Sequence, residues 1–185
     1  HWALDQVDGQ GIYSSSSPAI GDLEGDGVPE ICVAGTSFAV VCVELVNGEP
    51  RLKWAAGSEL YAYGAPAIAD MNGDGLMDIV TGDKFGDTVS VLLGRGDGTF
   101  EPGVQYDMGD LPRGLAVFDM DGDGDSDVIS ANANSSNMSI RLNNGDGTLG
   151  ARTSFNGGGS AEWGLASGDM NNDGIIDFVV GAQSS

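Results

Sequence analysis

The chain has 185 residues, 31 of them glycine, and its 7 basic against 28 acidic side chains give a net charge of −21. Such a surface repels phosphate, which excludes a nucleic-acid partner. No apolar run reaches the ~20 residues of a membrane-spanning helix, so membrane insertion is not expected, and 41% hydrophobic residues suffice for a packed core, which argues against disorder. The sequence opens at His1 with no initiator Met and no basic-then-apolar leader, so either a removed leader or an excerpt is expected.

Trp2 to Leu4 could form an opening strand, and from residue 16 onward the chain repeats itself. Four acidic segments share one pattern, DLEGDGVPE from Asp22, DMNGDGLMD from Asp70, DMDGDGDSD from Asp119 and DMNNDGIID from Asp169, at intervals of 48, 49 and 50 residues. The repeats run over about 16–63, 64–112, 113–162 and 163–185, within one domain of 1–185. Before each acidic segment stands a short apolar stretch: Pro18 to Ile20, Pro66 to Ile68, Leu115 to Val117 and Leu165 to Ser167. After it comes a β-branched run: Ile31 to Val33, Ile79 to Thr81, Val128 to Ser130 and Phe178 to Val180. These lengths and compositions predict strands.

A third strand is predicted at Val40 to Leu45, Val89 to Leu93 and Met138 to Leu142, and a fourth at Leu52 to Trp54, Val104 to Tyr106 and Thr153 to Phe155. Between them, Asn47-Gly48, Gly96-Asp97-Gly98 and Gly145-Asp146-Gly147 supply the positive φ of tight hairpins. Four antiparallel strands per ~50 residues, repeated, predict an all-β fold of β-propeller type, its last blade incomplete. Ala19, Ala67, Ala116 and Ala166, each three residues before its acidic segment, fit innermost strands that converge on an axis. Fourteen strands, or fifteen with Trp2 to Leu4, fall short of a closed ring, so further sequence, self-association or completion by another chain is expected.

The acidic segments carry the chemistry. Oxygen donors at positions 1, 3, 5 and 9, a glycine at 6 and the backbone carbonyl of 7 surround a small sphere, as calcium's six to eight hard ligands require. The candidate ligands are Asp22, Glu24, Asp26, Val28 and Glu30; Asp70, Asn72, Asp74, Leu76 and Asp78; Asp119, Asp121, Asp123, Asp125 and Asp127; and Asp169, Asn171, Asp173, Ile175 and Asp177. Up to four Ca²⁺ ions are expected. The spacing resembles the first half of an EF-hand loop, with the closing acid at position 9 and strands on both flanks. In the first loop, the longer Glu24 and Glu30 and the stiff Pro29 make the poorest site. The loops hold four, three, five and three acids, 15 of the 28, and four divalent ions would bring −21 to −13.

The segments with their flanks, SPAIGDLEGDGVPEI, APAIADMNGDGLMDIV and GLASGDMNNDGIIDFVV, resemble the FG-GAP or VCBS repeats of integrin α-chain-like β-propellers, as do LLGRGDGTF and RLNNGDGTL. The resemblance implies calcium in the loop between first and second strands, on one face of a disc. Its members serve as adhesion receptors, lectins and accessory domains of polysaccharide-degrading enzymes, so it leaves the function open.

The only histidine is His1, which leaves a Ser-His-Asp or Cys-His arrangement without a base elsewhere, and no enzyme is expected. Glu59, Asp110 and Glu162 are candidates for a carboxylate pair, and Arg95-Gly96-Asp97 for receptor recognition; loop acids and the repeat's own turn explain both more simply. Cys32 and Cys42 face each other if their hairpin turns about Ser37, and they form either a disulfide or two small buried thiols. Asn134 and Asn137 begin glycosylation sequons. The connections before the first strands carry Tyr13, Tyr61, Tyr63, Arg113 and Trp163, whose ring faces and planar donors suit sugars. The expectation is an extracellular, calcium-stabilised module for adhesion or recognition of glycans or proteins. A structural subunit of an extracellular assembly and an accessory domain of a carbohydrate-active enzyme are the alternatives.

Overall fold

A computed structural model describes residues 16–35, 40–55, 62, 64–83, 86–157 and 162–182, with the backbone alone for 162, 163 and 182. The chain is all-β among these residues. The first repeat forms an antiparallel sheet of β1 (Ala19–Gly21), β2 (Glu30–Ala34), β3 (Val40–Val46) and β4 (Glu49–Ala55), in that order. The second builds the same sheet from β5 (Ala67–Ala69), β6 (Asp78–Asp83), β7 (Thr88–Leu92) and β8 (Val104–Asp107). The third uses β9 (Pro112–Phe118), β10 (Asp127–Asn132), β11 (Asn137–Arg141) and β12 (Thr153–Asn156), and the fourth contributes the hairpin β13 (Glu162–Gly168) and β14 (Asp177–Ala182). The expected opening strand at Trp2 to Leu4 and the turn at Ser37 lie outside the described residues.

Successive sheets pack face to face, first strand beside first strand: β1 on β5, β5 on β9, β9 on β13. The second strands show why the series propagates. Along each, side chains alternate between faces, so Ile79, Val128 and Phe178 meet the preceding sheet while Cys32, Val80 and Ile129 meet the following one. Cys32, Val80 and Ile129 have no solvent exposure, and burying each of the two aliphatic side chains stabilises the stack by about 1.5–3 kcal/mol. The series is open among the described residues: no substantial contact joins β13 to β1.

Two expectations need correction. Asn47 (φ 53°) and Gly48 (φ 84°) do close a two-residue hairpin between β3 and β4. Gly96-Asp97-Gly98 and Gly145-Asp146-Gly147 instead sit at the tips of longer loops, 93–103 and 142–152, pinned by the bridges Gly94 to Phe100 and Asn143 to Leu149. The ladder stops early because the carboxylates of Asp78 and Asp127 take the N–H groups of Gly94 and Asn143 at 2.7 and 2.8 Å. β9 also starts earlier than expected, at Pro112, where the register against Asn132 slips; a strand's first position is where proline's missing N–H is tolerated. Cys32 and Cys42 stand directly opposite on β2 and β3 and are joined by a disulfide.

Candidate metal centre

The four acidic loops fold alike because each residue type has a local bond to make. The position-1 carboxylate accepts the N–H of position 6, from Gly27 to Asp22 (2.8 Å), Gly75 to Asp70 (2.9 Å), Gly124 to Asp119 (3.0 Å) and Gly174 to Asp169 (2.9 Å). The position-5 carboxylate accepts the N–H of position 7: Val28 to Asp26, Leu76 to Asp74, Asp125 to Asp123 and Ile175 to Asp173, all at 2.8–2.9 Å. The position-9 carboxylate then reaches back to the N–H of position 2, joining Leu23 to Glu30, Met71 to Asp78, Met120 to Asp127 and Met170 to Asp177 at 2.7–3.0 Å. Such short polar side chains bonding nearby backbone are the usual makers of tight turns.

The turn needs left-handed backbone at position 6, as the sequence indicated, and also at position 4. There Gly25, Gly73, Gly122 and Asn172 have φ between 63° and 85°. That second requirement was visible only as three glycines and an asparagine, the two residue types that adopt this region most readily.

The acids at position 9 sit at the floor of each loop. Glu30, Asp78 and Asp127 are fully buried, and burial raises all three carboxyls above their ordinary range against the opposing pull of backbone N–H donors. At the exposed rim the balance reverses: the N–H groups of Gly27 and Gly174 hold Asp22 and Asp169 below the usual range. Both Asp78 and Asp127 have partners on each oxygen, whereas Oε1 of Glu30 has none. The first repeat lacks the loop that supplies the second donor, since its β3–β4 ladder continues to the turn.

In the third loop, Asp119, Asp121 and Asp127 each offer a carboxylate oxygen within 4.8 Å of the others, the one such trio among the described residues. Oxygens of a cation's coordination shell lie no further apart than about 5 Å, so these three carboxylates could chelate a divalent ion. The remaining loops differ in detail. Asn72 and Asn171 turn their amide NH₂ toward Asp74 and Asp173 at 2.9 and 3.0 Å. Glu24 bonds Lys53 at 2.8 Å, and Lys53 also reaches Glu44 at 3.3 Å, so the charge at position 3 of the first loop already has a counterion. Asp125 lays its carboxylate against Gly145, where a Cβ would meet Oδ2 at 2.6 Å.

Neighbouring repeats brace the loops. Buried Asn143 donates through Nδ2 to the carbonyls of Met71 (2.7 Å) and Ser126 (3.0 Å), tying the second acidic loop to the third. This residue went unremarked in the sequence, where it reads as an ordinary turn asparagine beside Asn144.

At the far end of the sheets, Gly64 lies against the carbonyl of Arg113, and Gly114 against Gly164 and Leu165. The starts of the first strands thus run side by side there, a strand's length (~20 Å) from the acidic loops, and Arg113 and Trp163 belong to those strands and not, as expected, to the connections before them. Arg113 is half-buried on β9 and the backbone of Trp163 lies on β13; Tyr13, Tyr61, Tyr63 and Glu59 fall outside the described residues. Asn134 is exposed and bonds Asp110 at 3.2 Å, while Oδ1 of Asn137 accepts from Asn132 (2.7 Å) and Ser135 (3.0 Å). Arg95 pairs with Glu101 at 2.8 Å and Asp97 accepts the N–H of Thr99 at 2.9 Å, the bond Asp146 makes with Thr148. The repeat's own turn therefore occupies both charged ends of the Arg95-Gly96-Asp97 tripeptide.

No curated protein matches the chain. Among solved structures it is similar to a lectin of Agrocybe aegerita with specific recognition of non-reducing terminal N-acetylglucosamine, at 22% identity and a TM-score of 0.51, over 90% of this chain and 43% of the lectin. It is also similar to the V. cholerae biofilm matrix protein Bap1, at 18% identity and a TM-score of 0.55, over 92% of this chain and 28% of Bap1. A third likeness is to the Photorhabdus luminescens Tc holotoxin pore, at 15% identity and a TM-score of 0.51, over 93% of this chain and 9% of that one. The chain spans less than half the length of each, and the likeness is one of fold. Residues 70–130 and 119–180, together more than half of the sequence, match the model of the FG-GAP-like repeat, and the chain belongs to that family.

Proposed function

We propose that this chain is a segment of a calcium-stabilised β-propeller that acts outside the cell as a non-catalytic module recognising glycans or extracellular proteins. The observation that carries the reading is the trio of carboxylate oxygens at Asp119, Asp121 and Asp127, all within 4.8 Å of one another, in a loop that recurs four times with the same internal bonds. In each loop the side chains at positions 1, 3, 5 and 9 and the carbonyl of position 7 would hold the ion. Bound calcium supplies positive charge that offsets the clustered carboxylates. Extracellular modules typically bind it with Kd of about 10⁻⁴–10⁻³ M, and the Cys32–Cys42 bridge supports the same reading, because disulfides persist in oxidising compartments.

The ligand end we assign is the opposite one, where Arg113 and Trp163 stand at the starts of β9 and β13, with Tyr63 assigned to it from the sequence alone. Aromatic faces and a guanidinium suit sugar rings and acidic glycans, and the terminal N-acetylglucosamine recognised by the Agrocybe aegerita lectin is the first probe to use. A glycan array, run in calcium and in EDTA, tests this reading. Calcium-dependent binding that Trp163→Ala abolishes without shifting the melting temperature supports it. Binding to no glycan, or binding indifferent to both changes, overturns it.

A further inference from the structure

The first acidic loop already holds a cation of the chain's own. Lys53 on β4 donates through Nζ to Glu24, at position 3 of that loop (2.8 Å), and to Glu44 on β3 (3.3 Å). All three side chains are partly buried, at 16–21% exposure, so solvent and salt screen the cluster less than an open surface pair. A bulge aims the lysine there. Between β3 and β4, Cys42 pairs with Trp54 but Val43 pairs with Leu52, which leaves Lys53 as the extra residue, and such a residue turns its side chain out of the regular alternation. The β7–β8 and β11–β12 ladders keep their register throughout. The cluster lies inside the series of sheets and not at its end, since a Cβ on Gly98 of the second repeat would meet Oε1 of Glu24 at 2.5 Å.

The lysine changes what the loop's carboxylates do. Only the first and third loops have acids at positions 1, 3 and 9. In the third these close to within 4.8 Å of one another; Asp22, Glu24 and Glu30 do not, the third loop's trio being the one such group among the described residues. Glu24 is drawn to the ammonium instead. At the floor of the first loop, Oε1 of Glu30 is buried without a partner, an acceptor that a donor or a cation would satisfy.

We propose that Lys53 is a built-in competitor for calcium: the ion enters the first loop only by displacing the ammonium from Glu24, so this loop fills after the second and third. The proposal rests on the reading of the acidic loops as calcium sites. A divalent ion placed beside the ammonium is repelled by it, and an ion that displaces it must break an ion pair before it gains its ligand. At low calcium Lys53 offsets the loop's charge and ties β4 to it. At high calcium the ammonium is left to Glu44, which it already reaches.

Amide-resolved NMR of the full chain, titrated with calcium, reads the loops one by one. The N–H groups of Gly27, Gly75 and Gly124 each bond the position-1 carboxylate of their own loop and report its occupancy. In the wild type, Gly27 should shift at a calcium concentration about tenfold or more above that for Gly75 and Gly124. Lys53→Met and Lys53→Gln remove the charge and should lower the Gly27 midpoint about tenfold, whereas Lys53→Arg retains the charge and should retain the delay. Unchanged midpoints for Gly75 and Gly124 show that a variant has folded. Gly27 shifting together with the other two in the wild type, or a late Gly27 midpoint that both neutral variants leave in place, overturns the proposal while calcium binding at the other loops stands. No shift at any of the three amides overturns the calcium reading, and this proposal with it.

Discussion

Asp83 on β6 and Asn132 on β10 occupy the same position in successive sheets, each buried at the end of the second strand, yet their hydrogen bonding differs. Asn132 donates to Asn137 (2.7 Å) and Ser139 (2.9 Å) and accepts from Ser130 (2.8 Å). Asp83 accepts through one oxygen from Thr88 (2.7 Å) and Ser90 (2.8 Å), while its other oxygen and the hydroxyl of Thr81, the counterpart of Ser130, have no partner. The amide is thus bonded at both its oxygen and its nitrogen, whereas the acid is held at one oxygen only and its second oxygen is buried without a donor.

Burial raises the Asp83 carboxyl above its ordinary range, against the lowering effect of Thr88, Ser90 and Gln105. The folded chain therefore holds this proton more tightly than the unfolded one, and the group's contribution to stability declines as pH rises from the ordinary carboxylate range through the raised value. Asp83→Asn should raise stability at neutral pH by about 1–3 kcal/mol and flatten the pH dependence just above the ordinary range. Urea denaturation at several pH values checks both; a loss of stability with an unchanged pH slope would contradict the argument.

Asn143 is expected to matter beyond its own repeat. Asn143→Ala leaves the carbonyls of Met71 and Ser126 without their buried donor and should cost about 1–3 kcal/mol. Asn143→Asp should cost more, because it points a carboxylate at the same carbonyls. Amide exchange should quicken in the second acidic loop as well as the third. Exchange confined to the third would show that the two loops are not coupled.

The Cys32–Cys42 bridge closes a segment ten residues apart, for which chain entropy gives about 2.7 kcal/mol. Cys32→Ala with Cys42→Ala should lower denaturation stability by about that amount or less, with the two alanines fitting the same buried sites. An unchanged midpoint would mean that packing alone fixes the hairpin.

The fold was legible where its causes are local. The repeat interval, the alternation along the second strands and the Asx-type bonds of the acidic loops all follow from residues within one repeat. What escaped the sequence depends on partners distant along the chain. Gly96-Asp97-Gly98 reads as a tight hairpin until Asp78 is seen to take the N–H of Gly94 and end the ladder. Asn143 reads as a turn residue until the carbonyl of Met71 is placed beside it. Glu24 reads as a metal ligand, and the nearness of Lys53, 29 residues away, appears only once β4 lies beside the first loop. Of the candidate ligand site, Arg113 alone has a described side chain.

Calcium in the third loop is tested most directly by thermal denaturation of the wild type and Asp121→Asn, each with calcium and with EDTA. Asp121 is exposed at the rim of the trio and has no role in the buried floor. At ~100-fold above Kd a single site stabilises by about 2.7 kcal/mol, and several sites rival the stability of a whole domain. The wild type should therefore melt tens of degrees lower in EDTA. Asp121→Asn should melt below the wild type in calcium, and at or above it in EDTA, where one fewer carboxylate repels its neighbours. Identical wild-type melts with and without calcium, or a variant that differs equally in both, would contradict the account.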